Sequence, residues 1–439
     1  MSERASDFRY STGEARVPWA AVGEHLNLDD IEALLRFLVQ PRQGAEAEYE
    51  TAVAAAREAV QRMFEAGGPA TKLTLGGKVQ ELEEASRQLL DCKYALFLTN
   101  ATAGFEIAYK MAGLGPEDEV IVPSITFIST ALYPLSVGAR VVFADLDPRT
   151  INMDPEDVAR KITDRTKMIV PVHIGGYPVD MDPLMELAHE HDVMVLEDAA
   201  HAFGGWYKGR ALGTIGDFGA FSFHEVKNIT AGGEGGLLVS NNDEFGPHLT
   251  LARFVGLDLS RQIPNWLYDV VPVPARGGPM VPCNHSVTEL QAVLLLSQMA
   301  RLEDIISQRR QRAEYLSERF ASVPGLIPPL GDSEEVKPTW HLYLLQVDPD
   351  VLGADVQAFK AKLDEKGVTN IPHFAPLYKF NLFHELGYDA EAIAATCPQT
   401  EELFNRRFTH LPLYPLTDDE VEYMADAVIE AAEELRSSA

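Results

Sequence analysis

The amino-acid sequence predicts an α/β protein built on a mainly parallel, doubly wound sheet, followed by a smaller α+β unit. The first observation is a series of apolar runs of five to eight residues: ALFLTN (95–100), EVIVPS (119–124), ARVVFADL (139–146), KMIVPVH (167–173), VMVLED (193–198), FGAFSF (218–223) and GLLVS (236–240). Short continuous runs of this kind fit strands buried on both faces. The second is the helix-patterned segments between several of them, AGFEIAYKMAGL (103–114), PEDVARKIT (155–163) and DPLMELAHEHD (182–192), which give a βαβ alternation. The third lies beyond this region. A long helical pattern over 285–325 reads as a bridge, and a strand-like HLYLLQV (341–347) and helix patterns at 354–367 and 418–435 follow it.

The N-terminal part differs. LDDIEALLRFLV (28–39) has apolar positions at helical spacing, AEAEYETAVAAAREAVQRMF (45–64) consists of good helix formers, and Gly67-Gly68-Pro69 ends the segment. The chain therefore divides into a helical extension (1–70), a large α/β domain (71–300) and a bridging helix with a smaller domain (301–439), without internal repeats.

Of 439 residues, 46% are apolar, enough for a large core, and 66 Asp+Glu against 37 Lys+Arg give a net charge of −29. Such an excess of carboxylates repels phosphate backbones and anionic lipid surfaces, so neither nucleic acid nor membrane is expected as a partner. No apolar run approaches the roughly 18 residues that span a bilayer, and the first residues lack the apolar stretch of a secretory signal, which predicts a cytoplasmic protein. The one dense basic run, Arg309-Arg310-Gln311-Arg312, reads as a solvated helix face. Cys92, Cys283 and Cys397 lie far apart without CxxC spacing, so neither a metal site nor a disulfide framework is expected.

Ligands of open α/β sheets bind beyond the carboxyl ends of the strands, and three pieces of sequence fall there. Asn100-Ala101-Thr102-Ala103-Gly104 is a small-residue turn opening a helix; its free amides suit a phosphate, and an ordinary N-cap at Thr102 is the alternative. Glu197-Asp198-Ala199-Ala200-His201 ends an apolar strand. A carboxylate there needs a cationic partner, either a pyridinium nitrogen or a capping and salt-bridge role. Lys227 lies between FSFH and the glycine-rich AGGEGG, surroundings that lower an amine's basicity and suit a Schiff-base lysine.

In this order the three pieces resemble the DegT/DnrJ/EryC1/StrS family of sugar aminotransferases. Further segments carry the likeness: GPEDEVIVPSITFISTA, GARVVFADLDPRTINMDP, NHSVTELQAVLLLSQMARLEDIISQRR, HFAPLY and LPLYPLTDDEV. The resemblance implies an aspartate-aminotransferase-like fold (fold type I) and the cofactor pyridoxal 5′-phosphate. It implies Lys227 as Schiff-base lysine and proton shuttle, Asp198 as partner of the pyridine nitrogen, and His201 near the ring hydroxyl. Phe127 would stack on the ring, Ala101, Thr102 and Ser222 would hold the phosphate, and Asn284 would reach the phosphate of a neighbouring subunit in a homodimer. It implies transfer of an amino group from an amino acid, glutamate or glutamine, to a keto sugar, often nucleotide-linked, or a keto-cyclitol, in amino sugar or antibiotic biosynthesis. The alternatives are a dehydrating, aromatising or cyclising enzyme of the same fold, or a non-catalytic partner protein. A nucleotide-linked acceptor would call on basic residues such as Arg253, Arg261 or Lys379.

Overall fold

A computed structural model describes residues 24–438 except 69, 71, 258–269 and 371–373, so Arg261 lies outside the described residues. Its centre is a seven-stranded sheet of β1 (Tyr94–Leu98), β2 (Glu119–Pro123), β3 (Arg140–Ala144), β4 (Thr166–Ile169), β5 (Met194–Asp198), β6 (Phe218–Ser222) and β7 (Gly236–Ser240), in the spatial order 1-7-6-5-4-2-3. Strands 3, 2, 4, 5 and 6 run parallel, and β7 is antiparallel to both its neighbours. All seven apolar runs form strands. Side chains alternate between faces, so each strand feeds two cores. Leu96, Val120, Val122, Phe143 and Leu196 face one; Phe97, Ile121, Ile169, Val195 and Phe221 face the other.

Helices cover both faces. α1 (Leu28–Leu38) and α2 (Glu46–Ala66) pair through an Arg36–Glu50 bridge of 2.8 Å and an Arg57–Asp29 bridge of 2.6 Å. α3 (Gly77–Leu90) and α4 (Ala101–Met111) bury apolar stripes on the sheet. The sequence pattern misses the helix Ser129–Ser136, because Pro134 inside it reads as a breaker. The proline leaves the Thr130 carbonyl, one turn back, without its helical donor, and the hydroxyl of buried Tyr109 bonds that carbonyl instead.

The bridge expected over 285–325 is two helices, α5 (Glu289–Met299) and α6 (Leu302–Ala321), broken at Ala300-Arg301. Leu302 and Ile306 of α6 join one core of the large sheet. Leu316 and Phe320, farther along it, pack into a separate core with a three-stranded antiparallel sheet (Leu326–Ile327, Tyr343–Val347, Phe408–Leu411) and the helix α7 (Asp418–Ser438). Among the described residues, no helix is long and apolar enough to cross a membrane.

The basic run on α6 is not a solvated face. Arg309 is buried against the carbonyls of Trp340 and His341 (3.5 and 3.4 Å), Arg310 pairs with Asp332 at 2.9 Å, and Arg312 donates to the Leu413 carbonyl at 2.7 Å. Packing of the second unit against α6 covers the run, which a one-dimensional charge pattern does not register.

The carboxyl end of β5 is fixed by Glu197, which is fully buried and accepts from the amides of Gly213 (2.8 Å), Ile215 (2.6 Å) and Gly216 (2.7 Å). His173 completes the network. Its Nδ1 accepts from Val179 N–H (3.1 Å), so the proton sits on Nε2 and is donated to Glu197 at 2.9 Å. Glu197→Ala orphans four buried donors and is expected to cost about 3–5 kcal/mol. Urea unfolding measures this, and a loss below about 1 kcal/mol would remove Glu197 from its structural role.

Candidate active site

Asp198 ends β5 on the opposite face from Glu197. Its backbone is held to the segment that follows β4: N–H donates to Pro171 O (2.8 Å) and C=O accepts from His173 N–H (3.2 Å). The side chain is 4% exposed and accepts from Ala200 N–H at 3.0 Å. Burial pushes its carboxyl up to about 6, against the opposing pull of the Ala200 amide, Lys227 and His173.

Lys227 sits in the loop joining β6 to β7. Phe223 N–H donates to Gly235 O (2.7 Å), Ala231 N–H to Phe223 O (3.0 Å) and Glu225 N–H to Gly233 O (2.9 Å), which closes the loop on itself. Gln298 of α5 pins it from outside by accepting from Thr230 N–H and donating to Thr230 O, both at 2.9 Å. Burial brings the Lys227 amine down to about 8, with the charge of Asp198 acting the other way. Among the described residues its Nζ has no hydrogen bond or ion pair. The structure thus places two opposite charges in one poorly solvated cleft.

The turn after β1 lies beside the end of β6. Ser222 pairs with Gly236, which pairs with Leu98, so these residues stand side by side at the sheet's carboxyl edge. A Cβ at Gly236 would come 2.2 Å from Asn100 C and 2.5 Å from Ala101 N, so glycine is required where β7 passes the turn. The N-cap of α4 is Asn100, whose side chain accepts from Ala103 N–H at 2.9 Å, and not Thr102. The first two amides of the helix, those of Ala101 and Thr102, have no intrahelical acceptor. Ser222 Oγ accepts from His224 N–H at 3.3 Å.

An aromatic row leads away from Lys227. Phe127 is 57% exposed and 6.2 Å from Phe374; Phe374 stacks on His201 at 6.2 Å; His201 lies 4.3 Å from His341. His201 Nδ1 accepts from Gly175 N–H at 3.2 Å. Asn228, next to Lys227, donates to Thr339 O (3.0 Å), so its Oδ1 accepts from His341 Nδ1 (3.0 Å). Burial, and then His201, Lys227, Arg309 and His410, hold half-buried His341 well below the usual histidine range, and burial brings Arg309 down to about 10. Sequence reasoning missed His341 and Asn228, since isolated polar residues beside a strand or in a loop carry no spacing, and it read Arg309 as part of a solvated basic face.

Asn284 is exposed, its Oδ1 accepting from Ser286 N–H (3.2 Å) and Oγ–H (2.6 Å), and it has no described contact with the other expected site residues. Of the basic residues considered for an acceptor phosphate, Arg253 is buried against Glu83 and Phe97 O, and Lys379 pairs with Glu401 at 2.6 Å.

The two buried charges set a pH dependence of stability. Asp198 titrates near 6 in the fold against 3.8 ordinarily, so its ionisation cost is full above about 6 and vanishes toward 4. Lys227 titrates near 8 against 10.5, so its cost is full below about 8 and vanishes above 10.5. Both costs are present at pH 7. In the ligand-free chain, Asp198→Asn and Lys227→Met are each expected to raise the unfolding free energy there by on the order of 1–3 kcal/mol. The gain from Asp198→Asn should shrink toward pH 4 and that from Lys227→Met above pH 10. Thermal melts across pH test this; two variants less stable than wild type at pH 7 would contradict it.

Comparison with known proteins gives the site its context. The chain is 36% identical over 364 residues to the spore coat polysaccharide biosynthesis protein SpsC of Bacillus subtilis, covering 81% of this chain and 90% of that protein. Its fold matches Spr1654 of Streptococcus pneumoniae, assigned as a sugar aminotransferase and solved in its PLP form, with a TM-score of 0.72, 29% identity, and 83% and 94% of the two chains covered. It also matches DesI, solved in the presence of its TDP-sugar product, with a TM-score of 0.72, 28% identity, and 87% and 90% covered. The fold is that of the pyridoxal-phosphate-dependent aminotransferases expected from the sequence. The sequence matches the family profile over residues 54–429, and the chain belongs to the DegT/DnrJ/EryC1/StrS aminotransferase family.

Proposed function

We propose that this protein is an aminotransferase that moves an amino group from an amino acid, glutamate or glutamine, to a keto sugar, nucleotide-linked or free, or to a keto-cyclitol, in amino sugar or antibiotic biosynthesis. The observation that carries the reading is the buried Lys227 amine, lowered to about 8 beside the buried Asp198 carboxyl. Retention of a lysine there favours amino transfer over the dehydrating alternative.

The residues present fit pyridoxal 5′-phosphate. Asp198 is a buried carboxylate that lacks a bonded cation, which a protonated pyridine nitrogen would satisfy. The amides of Ala101 and Thr102, with the Ser222 hydroxyl across Gly236, offer donors to a phosphate at the positive end of α4. Exposed Phe127 would offer a ring face to stack on the cofactor, and His201 would serve near its ring hydroxyl. Bound there, the cofactor supplies the electron sink.

The chain supplies the proton chemistry. An amine of lowered basicity is partly neutral near pH 7, so Lys227 can act as a nucleophile and then take a proton from the donor's α carbon and return it elsewhere. Asp198 keeps the bound ring nitrogen protonated through that transfer. Exposed Asn284 is available to the phosphate of a second subunit, and the exposed stripe Leu290, Val293 and Leu294 on α5 suits a two-fold contact, so the enzyme is read as a homodimer.

The reading is tested by mixing loaded protein with L-glutamate or L-glutamine and then with a panel of keto sugars and keto-cyclitols. The long-wavelength cofactor band should bleach with the donor and return with the true acceptor; a band unmoved by any donor would sink the reading. Asp198→Asn should lower kcat by on the order of 10²–10³ while leaving the shape intact. Near-wild-type kcat would remove Asp198 from this role.

A further inference from the structure

A second group of reactive side chains lies on the same helix as the phosphate-holding turn, outside the site just described. Glu106 and Lys110 stand one turn apart on α4, and Cys283 and His285 flank Asn284 on the segment leading into α5. Cys283 Sγ lies 3.1 Å from one oxygen of Glu106, and His285 Nε2 lies 3.4 Å from the other. One ligand atom from each of the three residues falls within 4.8 Å of the others. Lys110 Nζ sits 2.7 Å from both Cys283 Sγ and Glu106 Oε1.

An ordinary Lys110–Glu106 ion pair accounts for only part of this arrangement. It leaves the buried His285 Nε2 with only the 3.4 Å contact to Glu106 and no well-formed hydrogen bond, a cost that native structures rarely carry without a reason.

We propose that Glu106, Cys283 and His285 form a binding site for a zinc-class divalent cation, with the Lys110 ammonium as the counter-charge that the ion displaces. A thiolate, an imidazole and a carboxylate make a borderline-soft ligand set, suited to zinc and unsuited to magnesium or calcium. On binding, the Cys283 thiol gives its proton to solvent, three bonds form to the ion, Lys110 swings outward along α4, and water takes the fourth position. No electron is transferred. The bound ion would tie α4 to the segment carrying Asn284. The sequence could not show the site, because Glu106 lies 177 positions from Cys283.

The test uses the full-length, cofactor-loaded protein, stripped with chelator and dialysed against zinc chloride. Metal is counted by mass spectrometry, and its shell is read by zinc-edge X-ray absorption. The expected result is one zinc per chain with one sulfur at about 2.3 Å and nitrogen or oxygen at about 2.0–2.1 Å. Cys283→Ser and His285→Gln should each weaken binding more than about tenfold. Lys110→Met removes the competing ammonium and should tighten it, a gain that a misfolded variant would not show. A wild type that takes up no stoichiometric zinc, a shell without sulfur, or unchanged affinity in both ligand variants would overturn the proposal.

Discussion

Asp198 and Lys227 carry opposite charges into the same cleft, and no direct ion pair between them repays the loss of water. Desolvation dominates at each, raising the acid to about 6 and lowering the amine to about 8. A protein sustains such a pair only if the surrounding backbone is rigid enough to prevent collapse or flooding. Much of the local architecture serves that end. β5 is buried along its whole length, Glu197 ties its last turn to three loop amides and to His173, and Gln298 holds the Lys227 loop from α5.

The second unit closes the same cleft. Arg309 enters from α6 and donates to the carbonyls of Trp340 and His341, while His341 orients Asn228 beside the lysine. Because α6 contributes to both cores, a shift of the second unit would reach the cleft through Arg309 and His341 without any change in the sheet. Three buried or half-buried cationic side chains there, Lys227, His341 and Arg309, all have lowered basicity. The cleft therefore favours neutral amines and imidazoles and retains a carboxyl as its main anionic group, which suits proton transfer near neutral pH.

The strands were legible because a strand covered on both faces must be apolar throughout, a demand that shows directly in runs such as VMVLED and FGAFSF. Asp198 and Lys227 were legible because charge at the end of such a strand, or inside a glycine-rich turn, is costly enough to stand out. The helix Ser129–Ser136 was not, since Tyr109 rescues its proline from a distant element. Arg309 looked like part of a solvated face for the same reason: its surroundings arrive from residues 340 and 414, with the Tyr414 ring 5.1 Å away. Phe408–Leu411 is a strand only because Tyr343–Val347 pairs with it. What escaped the sequence was set by contacts between remote segments, and what showed was set by local burial.

The claim on which the account rests is that Lys227 is the amine that carries the cofactor. Borohydride reduction of the cofactor-loaded protein, followed by proteolysis and mass spectrometry, tests it most directly. The account predicts that the reduced adduct appears on the peptide containing Lys227 and that no adduct forms in Lys227→Ala. Stoichiometric labelling of a different lysine in the wild type would contradict it.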